Sequence, residues 1–211
     1  MSNFLAEEGY KLSDLAVPSK KLLSAVFVEQ IHTCSTEPAL HVGSYGNSVN
    51  LPLPALERER IAKWVELLRT PGLKQTRWNL TDIGPHLGKT LNSALREATV
   101  ENTKNCCLGV ACFAAKGDLR LKLMTFDSKP SFVHLDRHFV EVSRSAAILP
   151  SSVAQYYGFG FNAAPPVFVT KDLKYFANLT TLNDSVRLSF RQIATLVEFT
   201  YLKDHSEAWA A

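Results

Sequence analysis

The eleven-residue run Asn105-Cys106-Cys107-Leu108-Gly109-Val110-Ala111-Cys112-Phe113-Ala114-Ala115 carries no charge, and no polar amide or hydroxyl after its first position. A helix apolar on every side has to be covered on every side. The run therefore predicts a central helix, with Asn105 as its N-cap and Gly117 as its stop. The remainder of a 211-residue chain is long enough to wrap it within one domain. With 46% hydrophobic and 20% charged residues, most of the chain is excluded from disorder.

The flanking segments supply the wrapping. Ile61, Trp64, Val65 and Leu68 recur at i, i+3, i+4 and i+7, so a helix is expected from about Leu56 until Thr70-Pro71-Gly72 stops it. A second amphipathic stretch is expected from about Leu87 to Ala98. Leu119, Leu121 and Leu123 alternate with Arg120 and Lys122, the period of a strand. Phe132, Val133, Phe139, Val140 and Val142 extend that β-structure. A short helix is expected from Ser151 to Tyr157, with Gly158 at its end. Ser189 and Gln192 form a capping box ahead of the stripe Phe190, Ile193, Ala194, Val197 and Tyr201. The expected fold class is α+β: a helix-rich single domain with a small antiparallel sheet from 118–142 and 165–170, and an N-terminal arm. The expected core comprises Ile61, Trp64, Val65, Leu68, Cys107, Val110, Ala111, Ala114, Val153, Phe190, Ile193, Ala194 and Val197. Residues 1–54 read as an arm or small subdomain, 55–203 as the main domain and 204–211 as a tail. Within the arm, 21–31 is ambiguous between helix and strand, and 34–54 reads as extended chain or loop.

Net charge is +3, too little to argue by itself for nucleic acid or a membrane. Glu7, Glu8 and Asp14 sit where a secretory signal needs a basic start and an apolar run, which favours a cytosolic address. The four cysteines, Cys34, Cys106, Cys107 and Cys112, include no C-x-x-C pair, so a zinc ribbon is not supported. Free thiols packed as small hydrophobes in a reducing compartment fit this pattern.

Three constellations carry chemistry. Cys106 and Cys107 in the first turn of a helix would feel its positive end, which lowers a thiol pKa. His134 or His138 could then act as base, with Asn183 or Asp184 orienting it. Six histidines and four cysteines give many accidental pairings of this kind, and core filler is the simpler reading. His134, Asp136 and His138 alternate on an expected strand, a pattern able to hold a transition metal; a solvated strand face is the simpler reading, and no metal or cofactor is expected. Residues 55–125 hold 12 basic and 7 acidic side chains. Among them Lys74, Arg77, Lys89, Arg96 and Lys104, with Trp78, suit a phosphate-bearing ligand by charge and stacking. Gly84-Pro85-His86-Leu87-Gly88-Lys89-Thr90 ends like a phosphate loop, but only three residues separate its glycines and no apolar strand precedes it.

Several segments taken in order carry a resemblance. Trp64-Val65-x-Leu67-Leu68-Arg69, Lys74-Gln75, Cys106-Cys107-Leu108-Gly109-Val110, Leu149-Pro150-Ser151-Ser152-Val153-Ala154 through Gly158, and Leu182-Asn183-Asp184 with Ser189-Phe190-x-x-Ile193-Ala194 follow one another over 56–202. This series resembles a family of small uncharacterised proteins encoded by tailed phages. The chain departs from it in 1–54 and in 116–148, which reads as an insertion. The resemblance implies an accessory protein acting in the infected cell's cytoplasm, and no catalytic residues come with it. The candidate ligand-binding residues are Lys74, Gln75, Arg77, Trp78, Asn183 and Asp184.

Three function classes follow. The first is a non-catalytic phage accessory protein, engaged in host interaction or counter-defence, that binds a host protein or a small host signal of nucleotide type. The second is a cysteine-dependent hydrolase or transferase using Cys106 or Cys107, with His134 or His138. The third is a structural or virion-associated component assembling, or forming a homo-oligomer, through the arm. No membrane role is expected, and nucleic acid is not a favoured partner.

Overall fold

The apolar run forms helix α3, Cys107–Ala115, whose Cys107, Leu108, Val110, Ala111, Cys112 and Ala115 are all buried. The computed structural model describes residues 9–24, 40–42, 49–84 and 90–205. Three of the helices introduced below pack around α3. Helix α1, Ala55–Leu68, buries the expected stripe Ile61, Trp64, Val65 and Leu68. Helix α4, Ser151–Tyr156, and the short helix α5, Leu179–Thr181, pack on other sides. From α5 the chain runs into a single wide turn, Leu182–Val186, closed by an i+5 bond from the Arg187 N–H to the Leu182 carbonyl. The closing helix α6, Phe190–Tyr201, packs against α1. Its capping box is present as read: the Gln192 N–H donates to Ser189 Oγ at 3.3 Å, and the Ser189 N–H donates to Gln192 Oε1 at 3.0 Å.

Trp64 ties α1 to α3. It is fully buried, and its indole N–H donates to the Cys107 carbonyl at 3.1 Å. Its ring lies 5.5 Å from Tyr157 and 6.4 Å from Phe159, within the range where aromatic pairs add to area burial. The Tyr157 hydroxyl donates to the Ala111 carbonyl at 2.9 Å, which satisfies its one polar atom inside the core. Burying each such large side chain contributes about 1.5–3 kcal/mol.

The β-structure is split into small sheets. In the arm, β1 (Leu40–Val42) pairs antiparallel with β2 (Val49–Leu51). Strands β3 (Lys74–Gln75), β4 (Thr81–Asp82) and β5 (Lys104–Asn105) form a mixed platform in the order β3-β5-β4. Strands β6 (Leu121–Phe126), β7 (Lys129–Leu135) and β8 (Glu141–Ser145) make an antiparallel meander. Strands β9 (Pro166–Phe168) and β10 (Phe176–Asn178) form another antiparallel pair. The result is the expected α+β class, helix-rich, with its main antiparallel sheet in the 118–142 region. Within 1–54, Leu15, Leu22, Val42, Val49, Leu51 and Leu53 belong to the same core as α3. No described helix is long and apolar enough to cross a membrane.

Four expectations need correction. Cys106, not Asn105, caps α3: its sulfur accepts from the Gly109 N–H at 3.4 Å. Asn105 lies in β5, where its amide is held by the Val100 carbonyl and Thr103 Oγ1. Ala114, expected in the core, is only half-buried. The second helix, α2, spans Leu91–Arg96, with Thr90 Oγ1 accepting from the Ser93 N–H. Its expected start at Leu87 falls among 85–89, outside the described residues, as do Lys89, Cys34 and the tail beyond His205. Finally, β7 ends at Leu135, so His134, Asp136 and His138 do not share a strand face. Asp136 is committed to a turn, accepting from the N–H groups of His138 and Val140 at 2.8 and 2.9 Å.

Gly109 explains why α3 tolerates a poor helix former at its centre. A Cβ built there would stand 1.8 Å from the Leu80 carbonyl oxygen, a backbone atom with no room to yield. Alanine is the better helix former by about 1 kcal/mol, yet at this position the sign reverses. Gly109→Ala is expected to destabilise the protein by about 3 kcal/mol or more, read as a lowered urea midpoint at unchanged slope.

Candidate functional site

The platform β3-β5-β4 places its residues in two cross-strand rows. Lys74 and Asp82 flank Lys104 in one row, and Gln75 and Thr81 flank Asn105 in the other. In the second row Asn105 and Thr81 are buried, while Gln75 lies at the exposed edge. The first row sets Lys104 between a second cation, Lys74, and a carboxylate, Asp82, so its like-charge pair is partly offset within the row.

Beneath the platform lies Asn183, buried on the wide turn. Its Oδ1 accepts from Gln75 Nε2 at 2.8 Å and from the Cys107 N–H at 3.2 Å. Its Nδ2 donates to the Thr76 carbonyl at 3.0 Å and to Asp184 Oδ1 at 2.6 Å. One carboxamide thus joins β3, the first turn of α3 and the wide turn. Gln75 adds a second bond, to the Leu188 carbonyl at 2.9 Å.

Asp184 extends this network outward. Its Oδ1 also accepts from the Trp78 N–H at 3.2 Å. That bond supports Trp78 in the left-handed region at φ 65°, a residue 68% exposed. Arg187 follows the wide turn in the same conformation, at φ 64°. Left-handed backbone at a side chain with a Cβ costs about 1–3 kcal/mol and is concentrated at functional sites. Both residues border one cavity of about 430 Å³, lined also by Gln75, Thr76, Arg77, Asp82 and Lys104. Three of its lining residues are cationic and one is a carboxylate. The size is that of a small-ligand pocket.

Of the six residues expected to bind ligand, Gln75, Arg77 and Trp78 line this cavity, and Lys74 sits beside it across from Lys104. Asn183 and Asp184 lie behind it and hold it in shape. Asp82 and Arg187 were not among the expected site residues. Arg187 reaches the cavity only because the wide turn ends in a left-handed residue, which no local pattern announces.

The described thiols, Cys106, Cys107 and Cys112, are interior. Cys106 is 5% exposed and Cys107 fully buried. Burial pushes the Cys106 thiol up to about 12, against a smaller opposing effect of the Gly109 N–H. Burial also drives Cys107 and Cys112 well above the ordinary thiol value. The Cys107 thiol points to the Leu179 carbonyl at 3.7 Å. His134 sits in β7 opposite Leu121 and Ser143, and His138 lies in an exposed turn with the Arg137 Nε–H donating to its ring at 3.0 Å. Neither imidazole bonds either sulfur, and Asn183 orients the Cys107 N–H instead of a histidine. Among the described residues no cluster of His, Cys, Asp or Glu could hold a metal ion.

Two outcomes are expected. Asn183→Ala leaves the Cys107 N–H and the Thr76 carbonyl without a partner, at a cost of about 2–4 kcal/mol, measurable by denaturant unfolding. The buried thiols favour their neutral form in the folded state, so their contribution is intact below the unfolded thiol value near pH 9. It is lost as pH rises toward about 12. Iodoacetamide at pH 8.5 should therefore label Cys106, Cys107 and Cys112 no faster than the protein unfolds; rapid labelling of the folded chain at Cys106 would contradict this. Comparison of the chain with protein-family models, with curated proteins and with solved structures finds no match.

Proposed function

We propose that this chain is a non-catalytic binding protein whose cationic pocket takes a small anionic ligand bearing a planar ring, a molecule of nucleotide type. The observation that carries the reading is one juxtaposition: Arg77, Lys104 and Arg187 line the same cavity as an exposed indole. Guanidinium and ammonium groups make charge-assisted hydrogen bonds to phosphate. An exposed aromatic ring stacks on a base, for about 1–3 kcal/mol. The hydroxyl of Thr76 adds a neutral donor at the same wall. Burial of Cys106 and Cys107 withdraws the nucleophile that a hydrolase or transferase reading built on them would need. The resemblance to tailed-phage proteins supplies the setting: the infected cell's cytoplasm, with a host signal as the ligand.

Titration calorimetry and thermal shift with nucleoside mono-, di- and triphosphates test this, with inorganic phosphate as the control. A nucleoside phosphate is expected to bind and to raise Tm, with an affinity that falls as salt rises. Inorganic phosphate should bind at least tenfold more weakly. Arg187→Gly removes a pocket cation while relieving the left-handed backbone, so stability should change by less than about 1 kcal/mol and affinity should drop about tenfold. Trp78→Ala should lose the discrimination against inorganic phosphate. Absence of binding by every nucleoside phosphate, or equal binding of inorganic phosphate, would sink the proposal.

A further inference from the structure

A second site lies on a different part of the molecule, along the outer edge of β6. In the meander β6 pairs only with β7, and no described strand occupies its other edge. The register decides which backbone groups point there. The Leu135 N–H donates to the Arg120 carbonyl. Counting by two from that pair, Lys122 with Val133, Met124 with Ser131 and Phe126 with Lys129 exchange bonds across β6 and β7. Asp127 and Ser128, both left-handed, close the hairpin as a two-residue turn, consistent with this phase. The N–H and C=O groups of Leu123 and Thr125 therefore face outward. Pro130 stands opposite Thr125, where β7 needs no donor toward β6.

That edge borders a groove of about 670 Å³ between β6 and α2, lined by Leu121 through Thr125, Leu95, Asn92, Arg96 and Lys116. Its floor is the outer rim of the core at Leu95, Leu121 and Leu123, with Met124 the exposed apolar side chain beside them. The hydroxyl of Thr125 is buried without a hydrogen-bond partner among the described residues. The charged residues of the lining are Arg96, Lys116 and Lys122, with no carboxylate among them. Lys122 extends over the Phe139 ring at 5.2 Å, and Lys116 donates to the Ala98 carbonyl at 3.3 Å.

We infer that this groove is a strand-addition site for an extended acidic segment of a partner protein. The incoming segment pairs with the outward groups of Leu123 and Thr125 and sets alternate apolar side chains on the leucine floor. Its carboxylates meet Arg96, Lys116 and Lys122. The five lining residues of β6 offer about 17 Å of edge at ~3.4 Å per residue. A second copy of this chain is a poor occupant, because β6 against β6 would bring the same cations together.

Fluorescence polarisation with a labelled heptapeptide alternating valine and glutamate tests the inference on the full chain. Saturable binding is expected, weakening with salt. A peptide alternating valine and lysine should bind at least tenfold more weakly. So should the glutamate peptide N-methylated on alternate residues, which keeps its charge and loses its strand pairing. The double variant Arg96→Glu with Lys122→Glu, both on exposed side chains, should reverse the preference toward the lysine peptide. Equal binding of the N-methylated peptide, equal binding of the lysine peptide, or no binding of the glutamate peptide would each overturn the inference. Sedimentation showing that the chain dimerises and that Lys122→Glu abolishes the dimer would overturn it in favour of self-association.

Discussion

The carboxamide of Asn183 is the point on which the architecture around the candidate site turns. Helix α3 begins inside the protein, so its first N–H groups have no water to turn to. Cys106 satisfies one through its sulfur, and Asn183 satisfies the Cys107 N–H from another part of the chain. Because the same amide also holds Gln75 and the Thr76 carbonyl, the helix start and the platform strands are fixed by one group. A buried amide with all its partners in place is rigid and specific. With one partner missing it costs more than an apolar replacement.

This arrangement separates two kinds of polar residue that lie close together in the chain. Gln75, Asn183 and Asp184 direct their hydrogen bonds into the protein or along its backbone. Arg77, Trp78, Lys104 and Arg187 meet the cavity from a scaffold held by the first group. Trp64, Gln75, the Cys106–Gly109 turn, Asn183 and the Ser189 cap all fall on that scaffold.

Helices α1 and α6 were legible because their signals are local. A stripe at i, i+3, i+4 names the buried face of each, and a capping box names the start of α6. The centrality of α3 was legible for the same kind of reason, from a run with no wet side. Its N-cap was not, because Asn105 makes its bonds to Val100 and Thr103, a tertiary choice that cap preference does not encode. The platform strands are two residues each and pair across 30 positions, from Lys74 to Lys104; no alternation can reveal that. The histidine triplet misled because a period of two was extended past Leu135, where Asp136 turns the chain. At the candidate site, charge and an aromatic residue marked Arg77 and Trp78, while Arg187 depended on a left-handed backbone invisible in the amino-acid pattern.

The bond from the Cys106 N–H to the Leu80 carbonyl, 3.1 Å long, closes the chain on itself at the foot of α3. The stretch between them stays tied to the core through Leu95, Ala98, Val100 and the buried Asn105. It carries Asp82 and Lys104 beside the cavity and Asn92 and Arg96 beside the groove. One closed segment of chain thus runs past both concavities, so a change in its packing would be felt at each.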